Sequence, residues 1–138
     1  MDERSYDAVA ARVRRFYSLA AEARWEDLAE ILTEDFFIEE AASLPYPGVF
    51  RGVEGHQRLM KALVETWDDI DFSLDGVAVG ENHATSLLTM TATARRTGRR
   101  MAVKICEVLR LSGERIASVT PYYYDTAAVA EAASGPAA

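Results

Sequence analysis

The sequence predicts an α+β fold in which helices pack on one face of a strongly curved antiparallel sheet. Two observations lead to this prediction. Apolar residues in the first half of the chain recur mainly at helical spacing, and from residue 70 the period changes to two. The strands of the second half are separated by glycine-containing turns. Helices followed by a run of strands are typical of an α+β domain.

Apolar residues between Tyr6 and Ala20 recur at helical spacing and predict the first helix. A second helix is expected to begin near Trp25 and to end before Thr33. The aromatic and β-branched run 36–38 that follows has the composition of a strand.

Residues 41–52 contain two prolines and two glycines, and we predict a loop there because proline disrupts regular strand pairing. A third helix is predicted from Gly52 to about Trp67. Within it, His56, Met60, Leu63 and Trp67 are spaced so that they share one helix face.

Alternating residues predict four antiparallel strands after that helix, over 70–78, 85–96, 101–111 and 115–124. On the second of these, one face carries threonines and a leucine, and the other carries Ser86, Leu88, Met90 and alanines. We expect one domain over residues 1–138, with a core over about 6–130 and a frayed tail over 131–138.

Charge and composition exclude several classes of protein. The net charge of −7 argues against a nucleic-acid surface, which needs clustered lysine and arginine. No apolar run approaches the roughly 20 residues of a membrane helix. Cys106 is the only cysteine and no signal peptide is visible, so we expect a reducing, cytoplasmic setting.

Glu40 and Glu107 are the candidate functional residues, because each lies in an apolar strand segment. Burying an ionised carboxylate without a partner is costly, so such a group is paired, neutralised or facing a cavity. Two acids in one apolar cavity would provide a base and a proton donor. The alternative is that Glu40 is a solvated strand end and that Glu107 pairs with an arginine. Glu39 points to the opposite face from Glu40, so only one of the two can face inward.

Tyrosines offer a polar tip on an apolar body, which suits a pocket that orients a carbonyl or hydroxyl group. Core packing is the alternative for each of them. His56 is expected to be a packed or rim residue more often than a base, and the histidine spacing does not indicate a metal site. Asp125 is expected to cap a final short helix, although a role in the pocket is also open.

The order of these segments resembles the nuclear transport factor 2-like cone fold, over roughly residues 6–130. The closer branch is that of the SnoaL-like polyketide cyclases and the ketosteroid-isomerase relatives. The resemblance is carried by four motifs, 28–36 (LAEILTEDF), 52–55 (GVEG), 106–116 (CEVLRLSGERI) and 121–126 (PYYYDT).

The resemblance implies that Glu40 is the general base and Glu107 the proton donor or electrostatic partner. The oxyanion tyrosine of the ketosteroid isomerases falls on Phe16, which cannot donate a hydrogen bond, and Tyr17 lies beside it. Both acids are glutamates where those enzymes have aspartates. The closing aromatic of the family falls on Tyr123, so Tyr17 and Tyr123 are expected to orient the substrate oxygen.

The expected function is isomerisation or aldol-type cyclisation of a small apolar carbonyl or polyketide-like compound, with no metal and no organic cofactor. An epoxide hydrolase and a non-catalytic binding or assembly module are the alternatives. A homodimer through the convex face of the sheet is also expected. The residues expected to contact the substrate are Phe16, Tyr46, Phe50, His56, Met60, Trp67 and Leu109.

Overall fold

The computed structural model describes residues 3–138, which form four helices and six strands. No helix within this range is both long and apolar enough to cross a membrane. In chain order the elements are α1 (Glu3–Ala21), α2 (Trp25–Glu30), β1 (Leu32–Glu40), β2 (Gly48–Arg51), α3 (Gly52–Thr66), β3 (Trp67–Val79), β4 (His83–Ala94), β5 (Arg100–Ser112), β6 (Arg115–Tyr123) and α4 (Thr126–Ser134).

All six strands belong to one sheet with the order β2-β1-β6-β5-β4-β3. The strands from β3 to β6 form the predicted antiparallel meander. β1 pairs with β2 in antiparallel fashion and with β6 in parallel. The register shifts within β3, between Asp68 and Asp71 and between Leu74 and Gly76. Such irregularities bend and twist a strand, as the predicted curvature requires.

The helices cover one face of the sheet, which we call the inner face and define by Ser86, Leu88 and Met90 of β4. These residues are buried, whereas their neighbours Leu87 and Thr89 on the outer face are more accessible. Both α1 and α3 contact the sheet. The α+β prediction and the predicted division of β4 into two faces are therefore confirmed.

The structure adds one strand that was not predicted and corrects the starts of two others. β2 lies inside the predicted loop, where prolines and glycines conceal its four residues. β1 begins at Leu32, four residues before the predicted run. β3 begins at Trp67, which the helical spacing had assigned to α3. The acidic stretch after Trp67 has no apolar alternation, so the sequence carries no sign of a strand there.

The first residues of the segment predicted as a frayed tail belong to helix α4. Helix α4 extends to Ser134, and its Ala132 is buried. The Ala138 backbone N–H donates to the Thr97 carbonyl at 2.9 Å. Asp125 caps α4, as predicted, by accepting a hydrogen bond from the Ala128 backbone N–H at 2.9 Å.

Candidate active site

A cavity of about 230 Å³ lies between the inner face of the sheet and helices α1 and α3. Most of its wall is apolar. The polar side chains that reach it come from α1, β1, α3, β5 and β6, so the site draws on both halves of the chain. The apolar wall includes Ile38, Leu59, Leu63, Leu74, Leu88 and Val119.

Glu40 is the last residue of β1, and its side chain lines this cavity. Only 5% of Glu40 is exposed, whereas its neighbour Glu39 is exposed, as the alternation of side chains along a strand requires. The Oε1 atom of Glu40 is buried and has no hydrogen-bond partner within residues 3–138. Glu40, not Glu39, is therefore the acid of β1 that faces inward.

Glu107 lines the same cavity from β5, where its cross-strand neighbours are Ser86 and Pro121. The Tyr17 hydroxyl of α1 donates a hydrogen bond to Glu107 Oε1 at 2.7 Å. Neither Glu40 nor Glu107 has an ion pair with lysine or arginine in the described part of the chain. The two acids thus share an apolar cavity without a compensating cation.

This environment shifts the protonation of both acids. Burial, with a contribution from repulsion by Glu107, raises the pKa of Glu40 to about 8. Burial also raises the pKa of Glu107 to about 7, against the opposing effect of the Tyr17 hydrogen bond, which favours the carboxylate. Between these values the pair retains one proton. Because Glu107, and not Glu40, accepts a hydrogen bond within residues 3–138, Glu107 is favoured as the ionised member and Glu40 as the protonated member.

A row of hydrogen-bonded side chains runs from the core to the cavity wall. The Trp67 indole N–H donates to the Tyr46 hydroxyl at 3.2 Å, and the Tyr46 and Tyr123 hydroxyl oxygens lie 3.0 Å apart. Tyr123 lines the cavity, whereas Tyr46 and Trp67 lie behind it. Burial raises the pKa of Tyr46 to about 12, so this hydroxyl keeps its proton at physiological pH.

His56 lies in the first turn of α3 and also lines the cavity. Its ring stacks on Phe16, with centroids 5.4 Å apart, and packs edge-to-face with Trp25, with centroids 5.5 Å apart. Burial lowers the pKa of His56 to about 4, so the imidazole is neutral near pH 7. Its Nδ1 atom is buried and has no hydrogen-bond partner within residues 3–138. His56 is therefore a packed residue whose neutral ring forms part of the cavity wall.

Seven predicted site residues line the cavity, and four do not. Tyr46 and Trp67 support Tyr123 from behind. Leu109 is fully buried in the core, and Phe50 lies on the edge strand β2, so neither belongs to the lining. The seven that line the cavity are Phe16, Tyr17, Glu40, His56, Met60, Glu107 and Tyr123.

Ser86 was not predicted to belong to the site. Its side chain is fully buried on the inner face of β4, opposite Glu107. Its Oγ has no hydrogen-bond partner within the described residues. The Ser86 hydroxyl lies close enough to Tyr17 to favour the ionised form of that phenol. One signal in the sequence could have revealed it, because Ser86 is the only hydroxyl residue on the inner face of β4.

A second, wider cleft of about 640 Å³ adjoins the cavity. Glu40, Pro121 and Tyr123 border both spaces. The exposed Glu39 also borders the cleft. Among residues 3–138, no group of three or more histidine, cysteine, aspartate or glutamate side chains is arranged to hold a metal ion.

Comparison with solved structures shows the fold. A nuclear transport factor 2-like protein from Burkholderia thailandensis superimposes with a TM-score of 0.80 at 22% identity, covering 90% of this chain and 95% of that one. A protein from Jannaschia sp. CCS1 that is named a SnoaL-like polyketide cyclase gives 0.75 at 18% identity, covering 95% and 94%.

A protein with a ketosteroid isomerase-like fold from Catenulispora acidiphila, solved in complex with trimethylamine, gives a TM-score of 0.71 at 16% identity, covering 90% and 92%. No curated protein sequence matches the chain significantly. The model of the SnoaL-like domain matches residues 13–119, which include Tyr17, Glu40 and Glu107. The chain therefore belongs to the SnoaL-like domain family.

Proposed function

We propose that the protein is an enzyme that isomerises or cyclises a small apolar carbonyl compound by acid–base chemistry. The observation that carries this proposal is that two acids with raised pKa values, the buried Glu40 and the half-buried Glu107, line one apolar cavity. Perturbed carboxyl groups in a cavity are typical of acid–base sites, because burial brings their pKa values towards neutral pH.

In the proposed reaction, the Glu107 carboxylate removes a proton from the carbon next to the substrate carbonyl. The protonated Glu40 donates its proton to the carbonyl oxygen, so that a neutral enol forms and the negative charge passes from Glu107 to Glu40. For an isomerase, Glu107 returns its proton to another carbon while Glu40 recovers its own. For a cyclase, the enol carbon attacks a second carbonyl of the same molecule, the oxygen of that carbonyl takes the proton from Glu107, and the enol hydroxyl returns its proton to Glu40.

These roles are the reverse of those that the family resemblance implies for the two acids. The Tyr17 hydroxyl stabilises the ionised form of Glu107, and no hydrogen bond stabilises an ionised Glu40 within the described residues. The cavity is also small, since drug-sized ligands occupy pockets of roughly 300–1,000 Å³. A compound of one or two rings therefore suits the 230 Å³ cavity better than a steroid.

The test is turnover of a panel of small unsaturated ketones and diketones by single variants. We expect Glu40→Gln and Glu107→Gln each to lower kcat/KM by about 100-fold or more, the range of general acid–base contributions. Glu39→Gln is the matched control, because Glu39 is the exposed neighbour of Glu40, and it should keep full activity. The proposal is wrong if both inward-facing variants turn over substrate as fast as the control.

A second candidate function is the binding of a small organic cation. The two acids and the rings of Phe16, Tyr17 and Tyr123 line the cavity, and no lysine or arginine is among its described lining residues. Anionic and aromatic groups together stabilise ammonium ions. The binding of trimethylamine by the structural neighbour from Catenulispora acidiphila is consistent with this candidate.

The pH dependence of binding separates the two candidates. A cation favours ionised acids, so the affinity for trimethylammonium would rise between pH 6 and pH 9. An enzyme of the proposed kind needs one proton on the pair. It should therefore bind a neutral phenol, which mimics the enol, less tightly at pH 9, where both acids are ionised, than between pH 7 and pH 8, where the pair holds one proton. Isothermal titration calorimetry with both probes measures this difference.

An epoxide hydrolase and a structural module both have less support from the cavity. The limonene type of epoxide hydrolase needs an arginine between two acids, and no arginine lines the cavity within residues 3–138. A purely structural module would fill its interior with its own side chains or pair Glu107 with an arginine. Here the cavity is open and Glu107 bonds to Tyr17 instead.

A further inference from the structure

The row of Trp67, Tyr46 and Tyr123 has a direction that follows from the chemistry of its members. An indole N–H can only donate, so the Tyr46 oxygen accepts from Trp67. Only 3% of Tyr46 is exposed, so its own hydroxyl hydrogen cannot reach solvent. Within residues 3–138, the Tyr123 oxygen is the one acceptor in contact with that hydroxyl. Tyr46 must therefore donate to Tyr123, because a buried hydroxyl without an acceptor is costly.

This direction leaves the hydroxyl hydrogen of Tyr123 without an acceptor in the row. Tyr123 lines the cavity, and its hydroxyl lies within electrostatic range of both Glu40 and Glu107. A donor at the end of a hydrogen-bond chain is strengthened by the bonds behind it. The hydrogen of Tyr123 is thus available to a group that occupies the cavity.

We infer that Trp67, Tyr46 and Tyr123 form a one-way donor chain that ends in a hydrogen bond from Tyr123 to an acceptor oxygen of the ligand. The ligand class that this chain selects is a carbonyl, enol or phenol. The inference rests on the proposed function in that the ligand carries such an oxygen. Tyr123 contacts the ligand, whereas Tyr46 and Trp67 are positioning residues because neither lines the cavity.

The two tyrosines of the cavity then have different roles. The hydroxyl hydrogen of Tyr17 is already donated to Glu107 at 2.7 Å, so Tyr17 acts on the acid. The hydroxyl hydrogen of Tyr123 is free for the ligand. Both tyrosines were expected to orient the substrate oxygen. In this inference Tyr17 instead stabilises the Glu107 carboxylate, and Tyr123 alone contacts the oxygen.

The test measures the affinities of a series of para-substituted phenols that differ in acidity. Toluene, an apolar ligand of similar size, is the reference. Fluorescence titration of the whole protein gives both affinities. We expect Tyr123→Phe to weaken phenol binding by about fivefold to tenfold, the value of one neutral hydrogen bond, and to leave toluene binding unchanged. The dependence of affinity on phenol acidity should flatten in the same variant, which a merely structural change would not cause.

The sign of the Tyr46→Phe effect tests the direction of the chain. If Tyr46 donates to Tyr123, its removal weakens phenol binding by about twofold. If Tyr123 instead donates to Tyr46, the same variant releases the hydrogen of Tyr123 and strengthens phenol binding. Strengthened or unchanged binding would overturn the inference. Trp67→Phe should act in the same direction as Tyr46→Phe, and Trp25→Phe is its matched control outside the row.

The outcome is independent of whether the protein is an enzyme. Absence of turnover by the unaltered protein, together with intact phenol selectivity, would contradict only the proposed function. Turnover that persists while Tyr123→Phe binds phenols as tightly as the unaltered protein would contradict only the donor chain. Failure of the unaltered protein to prefer phenol over toluene would also contradict the chain.

Discussion

Glu40 and Glu107 reach the same cavity because each occupies an inward position in the alternation of its strand. That much could be predicted, since an acid in an apolar strand is detectable in sequence. The side chains that contact the two acids could not be predicted. Tyr17 and Glu107 are 90 positions apart, and their hydrogen bond depends on the rotation of α1 about its axis. That rotation is set by packing, which a single sequence does not specify. The same reason explains why Phe16, next to Tyr17, stacks on His56.

At the residue scale, the raised pKa of Glu40 makes stability depend on pH. Its pKa is about 8 in the folded protein and 4.5 ordinarily, so the folded state binds the proton more tightly. The contribution of Glu40 is therefore fully favourable below pH 4.5 and is lost as pH rises towards 8. Glu40→Gln removes this titration. We therefore expect its effect on the free energy of unfolding to be more stabilising at pH 9 than at pH 4, by on the order of 4 kcal/mol.

Urea unfolding of the variant and of the original protein at the two pH values measures this difference. Glu39→Gln is the control and should change stability by less than about 0.5 kcal/mol at either pH, as exposed substitutions usually do. An effect of Glu40→Gln that is equal at pH 4 and pH 9 would show that Glu40 titrates normally.

At the element scale, strands could be predicted where apolar residues alternate strongly, and they could not be predicted where this alternation is absent. The strands β4, β5 and β6 alternate clearly and were predicted to within two residues at each end. β2 has only four residues and lies at the edge of the sheet, so it carries no detectable period. Its position is fixed by contact with α3, where the Cα of Gly55 approaches the backbone of Phe50.

The contact between β2 and α3 gives a prediction about Gly55. A Cβ at this position would lie 2.5 Å from the carbonyl carbon of Phe50, and a backbone atom cannot move aside cheaply. We expect Gly55→Ala to lower the free energy of unfolding by about 1–3 kcal/mol, the usual cost of overpacking. Thermal unfolding checks this loss.

The matched control for Gly55→Ala is Gly76→Ala on β3, because a Cβ there meets no atom within 4 Å. This control should stay within about 0.5 kcal/mol of the original protein. Equal stability of the two alanine variants would mean that β2 does not constrain α3.

At the scale of the whole molecule, the order of helices and strands was sufficient to predict the α+β class and the family. The outer face of the sheet carries exposed apolar side chains. Leu87 and Tyr122 are 53% and 59% exposed there, and both are cross-strand neighbours of Cys106. Lys104 and Asp75 border the same groove of about 320 Å³. In a two-fold interface across this face, a contact of Lys104 with Asp75 of the other copy would occur twice.

We therefore propose a homodimer through the outer face, with the apolar groove buried between two copies. Sedimentation equilibrium should give twice the 15.2 kDa mass of the chain. Leu87→Asp should shift the equilibrium to the monomer, because a charge would be buried in the interface. Val64→Asp is the control, since Val64 is 55% exposed on α3, away from the groove. A protein that sediments as a monomer without any substitution would refute the dimer.

The most direct measurement of the central claim is a titration of the carboxyl carbons of ¹³C-labelled glutamate by NMR, with the resonances assigned through Glu40→Gln and Glu107→Gln. We predict that the two assigned carboxyl groups titrate near pH 8 and pH 7, and that removing Glu107 lowers the midpoint of Glu40 because its repulsion is lost. Midpoints near the ordinary value of 4.5 for both groups would contradict the claim that two acids in one apolar cavity share one proton.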